Sequence, residues 1–145
     1  MSGFEFGSKS VGKLEGVHPD LQKIAYKAIE ITSEDFSILE GLRSVERQRK
    51  LVNTGKSQTM NSRHLTGHAI DIVPYPVSWD WDDFYPICDA MRKASRELNI
   101  PLRWGGNWRV KDVRRWNGTS KLLHSKYKGS FPDGPHFELP VRYYG

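Results

Sequence analysis

The sequence predicts a single small domain built from both helices and short strands. The chain has 145 residues, of which 37% are hydrophobic and 12% aromatic, so it can bury one core without the support of disulfides. Apolar residues recur at helical spacing in two long stretches, while several short apolar runs are typical of buried strands. No repeat, low-complexity tract or linker divides the sequence, and we therefore expect residues 1–145 to form one domain.

In the first half of the chain, the pattern predicts two helices and two strands after an N-terminal arm. Residues 1–17 are rich in Gly, Ser and Lys and are expected to be extended, although their apolar side chains could dock onto the core: Phe4, Phe6, Val11 and Leu14. A helix begins around Pro19, because proline suits a first helical turn and the aspartate that follows complements the helix dipole. A strand at 36–42 leads into a helix that ends near Asn53, and residues 69–73 form a buried strand.

In the second half, the pattern predicts one long helix and two more strands. The helix is placed at 83–99, since Pro86 is tolerated only in a first turn. Short strands are expected at 101–104 and 136–139. The intervening stretch, 107–135, has no clean periodicity, and a loop of that length is usually functional or mobile.

Charge and cysteine content limit the possible partners and cofactors. Lys and Arg total 22 against 17 Asp and Glu, and this net charge of +5 favours anionic partners such as nucleic acid, lipid head groups or bacterial wall polymers, without choosing among them. The single cysteine, Cys88, excludes an intrachain disulfide framework and a cysteine-only metal site. The N-terminus lacks the pattern of an export signal and no stretch suits a membrane span, so we expect a soluble protein made in the cytoplasm, without membrane insertion.

Two segments carry the residues that a zinc (Zn2+) centre requires, S-R-H-L-T-G-H-A-I-D at 62–71 and D-G-P-H at 133–136. A catalytic zinc site uses about three protein ligands and leaves one position for water. His64, Asp71 and His136 are the predicted ligands, because each can reach one cavity if the two segments meet in space.

Three further residues are expected to assist such a centre. Asp133 is the candidate that accepts a proton from zinc-activated water and later delivers it to the leaving amine. Arg43, at the end of a predicted strand, is the cation best placed to stabilise negative charge on the attacked carbonyl oxygen. Ser62 is expected to orient the loop or a ligand through its hydroxyl.

Simpler interpretations of the same residues stay open. Asp71 can cap a turn, Asp133 belongs to an ordinary Asp-Gly turn, and a single histidine is more often structural than a metal ligand. His64 and His68 stand four apart, as a helical metal pair would, but the glutamate of an H-E-x-x-H motif is missing and the intervening glycine disfavours a helix. We therefore leave His68 outside the site.

Two tryptophans follow the predicted strand at 101–104. Trp104 and Trp108 suit the wall of a groove against which a peptide or sugar lies, and they suit the packing of a core edge equally well. They are retained as candidates for substrate binding or for support of the site.

The pattern Ser62-x-His64-x-x-Gly67-x-Ala69-x-Asp71, followed by Asp133-x-x-His136, resembles that of the zinc D,D-carboxypeptidase and L-alanyl-D-glutamate peptidase family, in particular its phage endolysin branch. The segments V-H-P-D-L, G-L-R-S and L-R-W-G-G-N-W extend the likeness over most of the chain. The resemblance implies an α+β fold in which an antiparallel sheet is flanked by helices, the D,D-peptidase or hedgehog-like zinc peptidase fold.

The resemblance also implies roles for individual residues. It implies that His64, Asp71 and His136 bind zinc and that Arg43 lies near the substrate carbonyl. It implies Asp133 as the general base and acid, where many relatives have glutamate, so that the reach to the water is shortened by one methylene.

The implied function is that of an endolysin, a monomeric zinc metallopeptidase that cleaves peptidoglycan stems between L-alanine and D-glutamate by direct attack of zinc-activated water. Such an enzyme is made in the host cytoplasm and acts on the cell wall after release, and neither nucleic acid nor membrane is its partner. Three alternatives remain: a D,D-carboxypeptidase or dipeptidase on the same scaffold, a catalytically silent metal-binding domain, and a basic nucleic-acid-binding module that uses Trp and Arg contacts.

Overall fold

One antiparallel sheet and its surrounding helices make up the fold. The computed structural model describes residues 2–145, within which four strands pair in the order β1-β2-β4-β3. The strands are β1 (Phe36–Glu40), β2 (Ala69–Pro74), β3 (Arg103–Trp104) and β4 (His136–Glu138). The helices are α1 (Ser8–Leu14), α2 (Pro19–Ile31), α3 (Val45–Asn53), α4 (Trp81–Leu98), α5 (Ser120–Ser125) and α6 (Val141–Tyr144), with 3-10 helices at Arg63–Thr66 and Val113–Arg115. The predicted α+β class with an antiparallel sheet is confirmed.

The core lies between the sheet and the pair of helices α2 and α4, which pack against each other. Ile70 and Ile72 of β2 are fully buried in this core. Because side chains alternate along a strand, Asp71 between them projects from the opposite face of the sheet. The hydrophobic pattern of β2 therefore sets the direction in which its carboxylate points.

The N-terminal segment is the first departure from the sequence-based expectation. An extended arm was expected over 1–17, but Ser8–Leu14 is helical, so that expectation is wrong for these residues. Leu14 is buried in the core, and the hydroxyl of Ser10 accepts a 3.1 Å hydrogen bond from the backbone amide of Ile38 on the edge strand β1. These tertiary contacts stabilise a helix that contains Gly12 and follows Gly7, two residues of low helix propensity that argue against a helix in the sequence.

Helix α4 begins two residues before the predicted start at residue 83. The side chain of Asp80 accepts a 3.0 Å hydrogen bond from the amide of Asp82 and so caps a helix that starts at Trp81. Pro86 consequently lies beyond the first turn, and the expectation that confined it there is wrong. No helix within residues 2–145, α4 included, is long and apolar enough to cross a membrane.

The segment 107–135 is more ordered than its lack of periodicity indicates. It contains a 3-10 helix and α5, and its Val113 and Leu123 are fully buried. The buried guanidinium of Arg92 on α4 holds this segment, because its Nη2 atom donates to the carbonyl oxygens of Trp116 at 2.9 Å and Gly118 at 2.8 Å. The expectation of one long irregular loop is therefore wrong for the part around these helices.

Candidate active site

The three predicted ligands meet on one side of the sheet. Asp71 lies on β2 directly opposite His136 of β4, and His64 approaches from the 3-10 helix at Arg63–Thr66. The Nε2 atom of His64 lies 3.3 Å from Asp71 Oδ1, and the Nδ1 atom of His136 lies 3.4 Å from the same oxygen. One atom from each side chain lies within 4.8 Å of the others, which is a spacing that ligands of one metal ion can adopt.

A short capped turn brings His64 to this position. The hydroxyl of Ser62 accepts a 3.2 Å hydrogen bond from the amide of His64 and caps the 3-10 helix. Gly67 ends the helix with a φ of 76°, in the left-handed region that favours glycine. A Cβ at this position would also overlap the carbonyl oxygen of Gly16. The glycine between the two motif residues is therefore required for both conformation and space.

Two buried atoms of the cluster have no hydrogen-bond partner within residues 2–145, His64 Nε2 and Asp71 Oδ1. Leaving such atoms unpaired costs about 1–3 kcal/mol each, and a cation between them would satisfy both. The Nδ1 atom of His64 lies 2.8 Å from the carbonyl oxygen of Gly41, so Nδ1 carries the proton and Nε2 presents a lone pair. Two histidines and a carboxylate are a donor set that zinc accepts, and the residues present fit this ion.

The second histidine contacts a carboxylate that sequence reasoning did not identify. The Nε2 atom of His136 lies 2.8 Å from Oε1 of Glu138, whose side chain is buried. The other carboxylate oxygen of Glu138 lies 3.6 Å from Nη1 of Arg103. Residues two apart on a strand share a face, and that spacing is the signal in the sequence that could have revealed this partner.

The charges of the cluster shift the pKa values of its members. Burial opposes ionisation of Asp71, but His136 and His64 outweigh it and hold the pKa of this carboxyl well below its usual range. Burial likewise opposes the charge of His136, yet Asp71 and Glu138 outweigh it and raise the pKa of this imidazole to about 10. A proton on His136 and a metal ion are alternatives, because each compensates the same carboxylates.

Asp133 lies on the turn that leads into β4. Its burial, and after it the negative charge of Asp71, raises the pKa of its carboxyl above the usual range, despite the opposing effect of the nearby histidines and Arg43. Its carbonyl oxygen accepts a 3.2 Å hydrogen bond from the amide of His136. A carboxylate with a raised pKa next to the cluster has the properties of a group that accepts and returns a proton.

Arg43 lies beside the cluster, and most of the hydrogen bonds of its guanidinium are made to side chains outside the cluster. It donates to both carboxylate oxygens of Glu40, at 2.8 Å and 2.9 Å, and to Oε1 of Gln48 at 2.7 Å. Its Nη2 atom also lies 3.4 Å from Oδ2 of Asp71. Sequence reasoning missed Glu40 and Gln48, which hold this positive charge against the carboxylate of Asp71.

The two candidate tryptophans occupy different environments. Trp108 lies with its ring centroid 5.0 Å from that of His136. Trp104 is fully buried and donates a 2.7 Å hydrogen bond to the carbonyl oxygen of Gly134, so it packs in the core and is unavailable as a groove wall. His68 lies beside His18, 5.3 Å between ring centroids, and is outside the group of three.

The fold and the cluster define a small α+β domain with a His, Asp, His centre suited to zinc. A family model described as phage L-alanyl-D-glutamate peptidase matches residues 1–140. The L-alanyl-D-glutamate peptidase of Escherichia phage T5 is 35% identical over 143 residues, which cover 94% of this chain and 98% of the relative. The chain belongs to the phage L-alanyl-D-glutamate peptidase family, as the resemblance of its motifs implies.

Two further relatives differ in how much of their length is shared. The L-alanyl-D-glutamate peptidase of Listeria phage A118 is 29% identical over 109 residues, which cover 74% of this chain but 31% of that longer protein. The crystal structure of the Serratia marcescens L-Ala D-Glu endopeptidase ChiX matches with a TM-score of 0.77 and 41% identity, over 97% of this chain and 93% of that one. The likeness to ChiX therefore extends over the whole fold.

Proposed function

We propose that this protein is a zinc-dependent endopeptidase that hydrolyses the bond between L-alanine and D-glutamate in the stem peptides of peptidoglycan. The observation that carries the proposal is the convergence of His64, Asp71 and His136, in which two buried atoms, His64 Nε2 and Asp71 Oδ1, have no hydrogen-bond partner within residues 2–145. The substrate is supported by relatives of nearly equal length that are named for this bond. The bacterial cell wall is accordingly the proposed place of action.

The side chains of the site divide the chemistry among them. Zinc, when held by His64, Asp71 and His136, polarises the scissile carbonyl and activates a water molecule. Asp133 takes the proton of the nucleophile and returns it to the amine of the leaving D-glutamate, a transfer that its raised pKa favours. Arg43 provides a fixed positive charge beside Asp71, where it can stabilise negative charge that develops on the carbonyl oxygen.

Trp108 is proposed to contact the substrate. Its indole N–H donates a 2.8 Å hydrogen bond to the carbonyl oxygen of Phe131, which fixes the ring beside His136. A fixed aromatic face next to the metal ligands offers an apolar surface to the stem peptide. Ser62 is proposed to act one step further away, by holding the turn that carries His64.

Digestion of purified peptidoglycan tests the proposal. The zinc-loaded protein should release stems with a new N-terminal D-glutamate, detected by mass spectrometry, and leave L-alanine on the glycan strand. A chelator should stop the release, and added zinc should restore it. Release of terminal D-alanine would instead support a D,D-carboxypeptidase, and zinc binding without either product would support a silent metal-binding domain.

A further inference from the structure

The contact between Glu138 and His136 determines which ring nitrogen of His136 faces the cluster. Nε2 lies 2.8 Å from Oε1 of Glu138, while Nδ1 lies 3.4 Å from Oδ1 of Asp71. An ionised carboxylate only accepts hydrogen bonds, so Nε2 carries a proton, and Nδ1 is the nitrogen whose lone pair becomes available to a metal ion once its own proton is displaced.

The two histidines are oriented by acceptors of different strength. The ring of His64 donates from Nδ1 to the neutral carbonyl oxygen of Gly41, whereas the ring of His136 donates to a carboxylate. Hydrogen bonds to an ionised partner are roughly twice as strong as neutral ones. The orientation of the His136 ring is therefore held by a stronger hydrogen bond than that of the His64 ring, and its partner is a side chain.

A closed set of contacts holds Glu138 and the ring of His136 together. The Nε and Nη2 atoms of Arg103 donate to the carbonyl oxygen of Trp108 at 3.1 Å and 2.6 Å, and its Nη1 atom lies 3.6 Å from Glu138. The Trp108 ring lies 5.0 Å from the Arg103 guanidinium and 5.0 Å from the imidazole of His136. His136 is thus contacted at Nε2 by the carboxylate of Glu138 and lies beside the tilted indole of Trp108, and Arg103 contacts both of these partners.

A carboxylate in this position carries a desolvation cost that an apolar side chain would avoid. The side chain of Glu138 is 5% exposed, and its Arg103 partner is 21% exposed. Buried ion pairs of this kind are often neutral or unfavourable for stability compared with apolar residues of similar volume. Stability alone therefore gives no reason for a glutamate behind a proposed metal ligand.

We propose that Glu138 is a positioning residue of the metal centre, which fixes the tautomer of His136 and strengthens Nδ1 as a zinc donor. The inference rests on the proposed zinc site and assigns no direct contact between Glu138 and substrate. It predicts that zinc affinity, measured without any substrate, depends on the hydrogen bond from His136 Nε2.

Zinc titration against a chromophoric chelator tests this dependence on the full chain. Glu138→Ala should weaken zinc affinity about 10–100-fold, the usual effect of losing such a partner. Glu138→Gln should lose less, because its amide oxygen still accepts the hydrogen bond. Glu138→Asp keeps the charge but withdraws the carboxylate by one methylene, and should resemble the alanine variant.

A second readout follows the hydrogen bond itself. In NMR spectra of the zinc-loaded protein, the Nε2 proton of His136 should be shifted downfield and protected from exchange in the parent and in Glu138→Gln. The same proton should exchange rapidly in Glu138→Ala and Glu138→Asp. A residue that only stabilises the fold would leave this proton and the zinc affinity unchanged.

Asp112→Asn is the matched control, because Asp112 is also a buried carboxylate and pairs with Arg114 at 2.8 Å. It should lower the melting temperature and leave zinc affinity unchanged. If Glu138→Ala folds and its zinc affinity is within twofold of that of the parent, the inference is overturned. If Glu138→Ala does not fold, the zinc affinity of Glu138→Asp is judged by the same criterion. A parent that binds no zinc would refute the proposed function instead, whereas equal zinc binding by the parent and the variants refutes the role of Glu138 alone.

Discussion

The backbone amide of Asp133 donates a 2.7 Å hydrogen bond to the carbonyl oxygen of Gly105, whose own amide donates at 2.8 Å to the carbonyl oxygen of His136. The proposed base and one proposed ligand are therefore held by the same residue, just after β3. A Cβ at position 105 would overlap the Asp133 carbonyl oxygen and lie 3.0 Å from the Asp133 Cβ. The close approach of the two backbones requires glycine at this point.

Gly105→Ala should therefore lower activity by displacing Asp133. Catalytic geometry is sensitive enough that a shift of about 1 Å can cost on the order of 100-fold in rate, so we expect a loss of at least tenfold in kcat. Gly12→Ala is the control, since a Cβ there meets nothing within 4 Å and residue 12 lies in α1. Release of N-terminal glutamate by the two variants measures the effect, and full activity of Gly105→Ala would contradict it.

Asp133→Asn should separate metal binding from catalysis. The amide keeps the shape of the side chain but cannot accept the proton, so kcat should fall roughly 10²–10⁴-fold while zinc affinity stays within twofold of the parent. Zinc titration and peptidoglycan digestion measure the two quantities. Asp82→Asn, at a side chain that is 72% exposed, should change neither. Parental activity of Asp133→Asn would remove this residue from the mechanism.

The positions of the three proposed ligands can be predicted from the sequence, whereas some of the residues that support them cannot. The reason is geometric. His64, Asp71 and His136 belong to short motifs with fixed spacing, and the structure brings them together as expected. Glu40 lies against Asp71 only through the register of β1 on β2, which contains an irregularity between Ile38 and Glu40. A cross-strand register of this kind depends on the folded sheet and cannot be inferred from the spacing of residues in one segment.

The same limit applies to parts of the fold. Helix α1 is stabilised by the burial of Leu14 and by the contact of Ser10 with β1. Docking of Leu14 onto the core was considered from the sequence, but neither the helix nor the contact of Ser10 is indicated by the local residue pattern. Helix α2, by contrast, has its proline, aspartate and apolar stripe in one stretch and was predicted at its observed start. Of these two helices, the one with local determinants was predicted, and the one that depends on tertiary contacts was missed.

The ion pair between Glu40 and Arg43 should make the stability of the metal-free protein sensitive to acid. Burial opposes the charge of Glu40, but Arg43 outweighs it and holds the pKa of this carboxyl below its ordinary value of 4.5. A carboxyl whose pKa is lower in the folded state stabilises the fold when the pH is above the pKa of the unfolded state. This contribution is lost as the pH falls through the pKa of the folded state.

Glu40→Gln should therefore lower the melting temperature at pH 7 and flatten its decline below about pH 4.5. Thermal unfolding of the two proteins in chelator, from pH 7 to pH 3, measures the difference. Parallel curves for the parent and Glu40→Gln would show that this ion pair contributes no acid sensitivity.

Arg92 should control the order of the segment between the 3-10 helix Val113–Arg115 and α5. Its Nη2 atom satisfies the carbonyl oxygens of Trp116 and Gly118, and its Nη1 atom donates to the hydroxyl of Ser120 at 3.1 Å. Arg92→Met removes these bonds and leaves the carbonyl oxygens without that partner, at a cost on the order of 2–3 kcal/mol in the free energy of unfolding.

Limited proteolysis and denaturant unfolding measure the consequence of Arg92→Met. Cleavage should appear within residues 114–120 before the rest of the chain unfolds, because this segment depends on α4 for its hydrogen bonds. Lys93→Gln, at the exposed neighbouring position on the same helix, should stay within about 0.5 kcal/mol of the parent and resist cleavage. Equal protease resistance of the two variants would show that the segment is held by its buried Val113 and Leu123 alone.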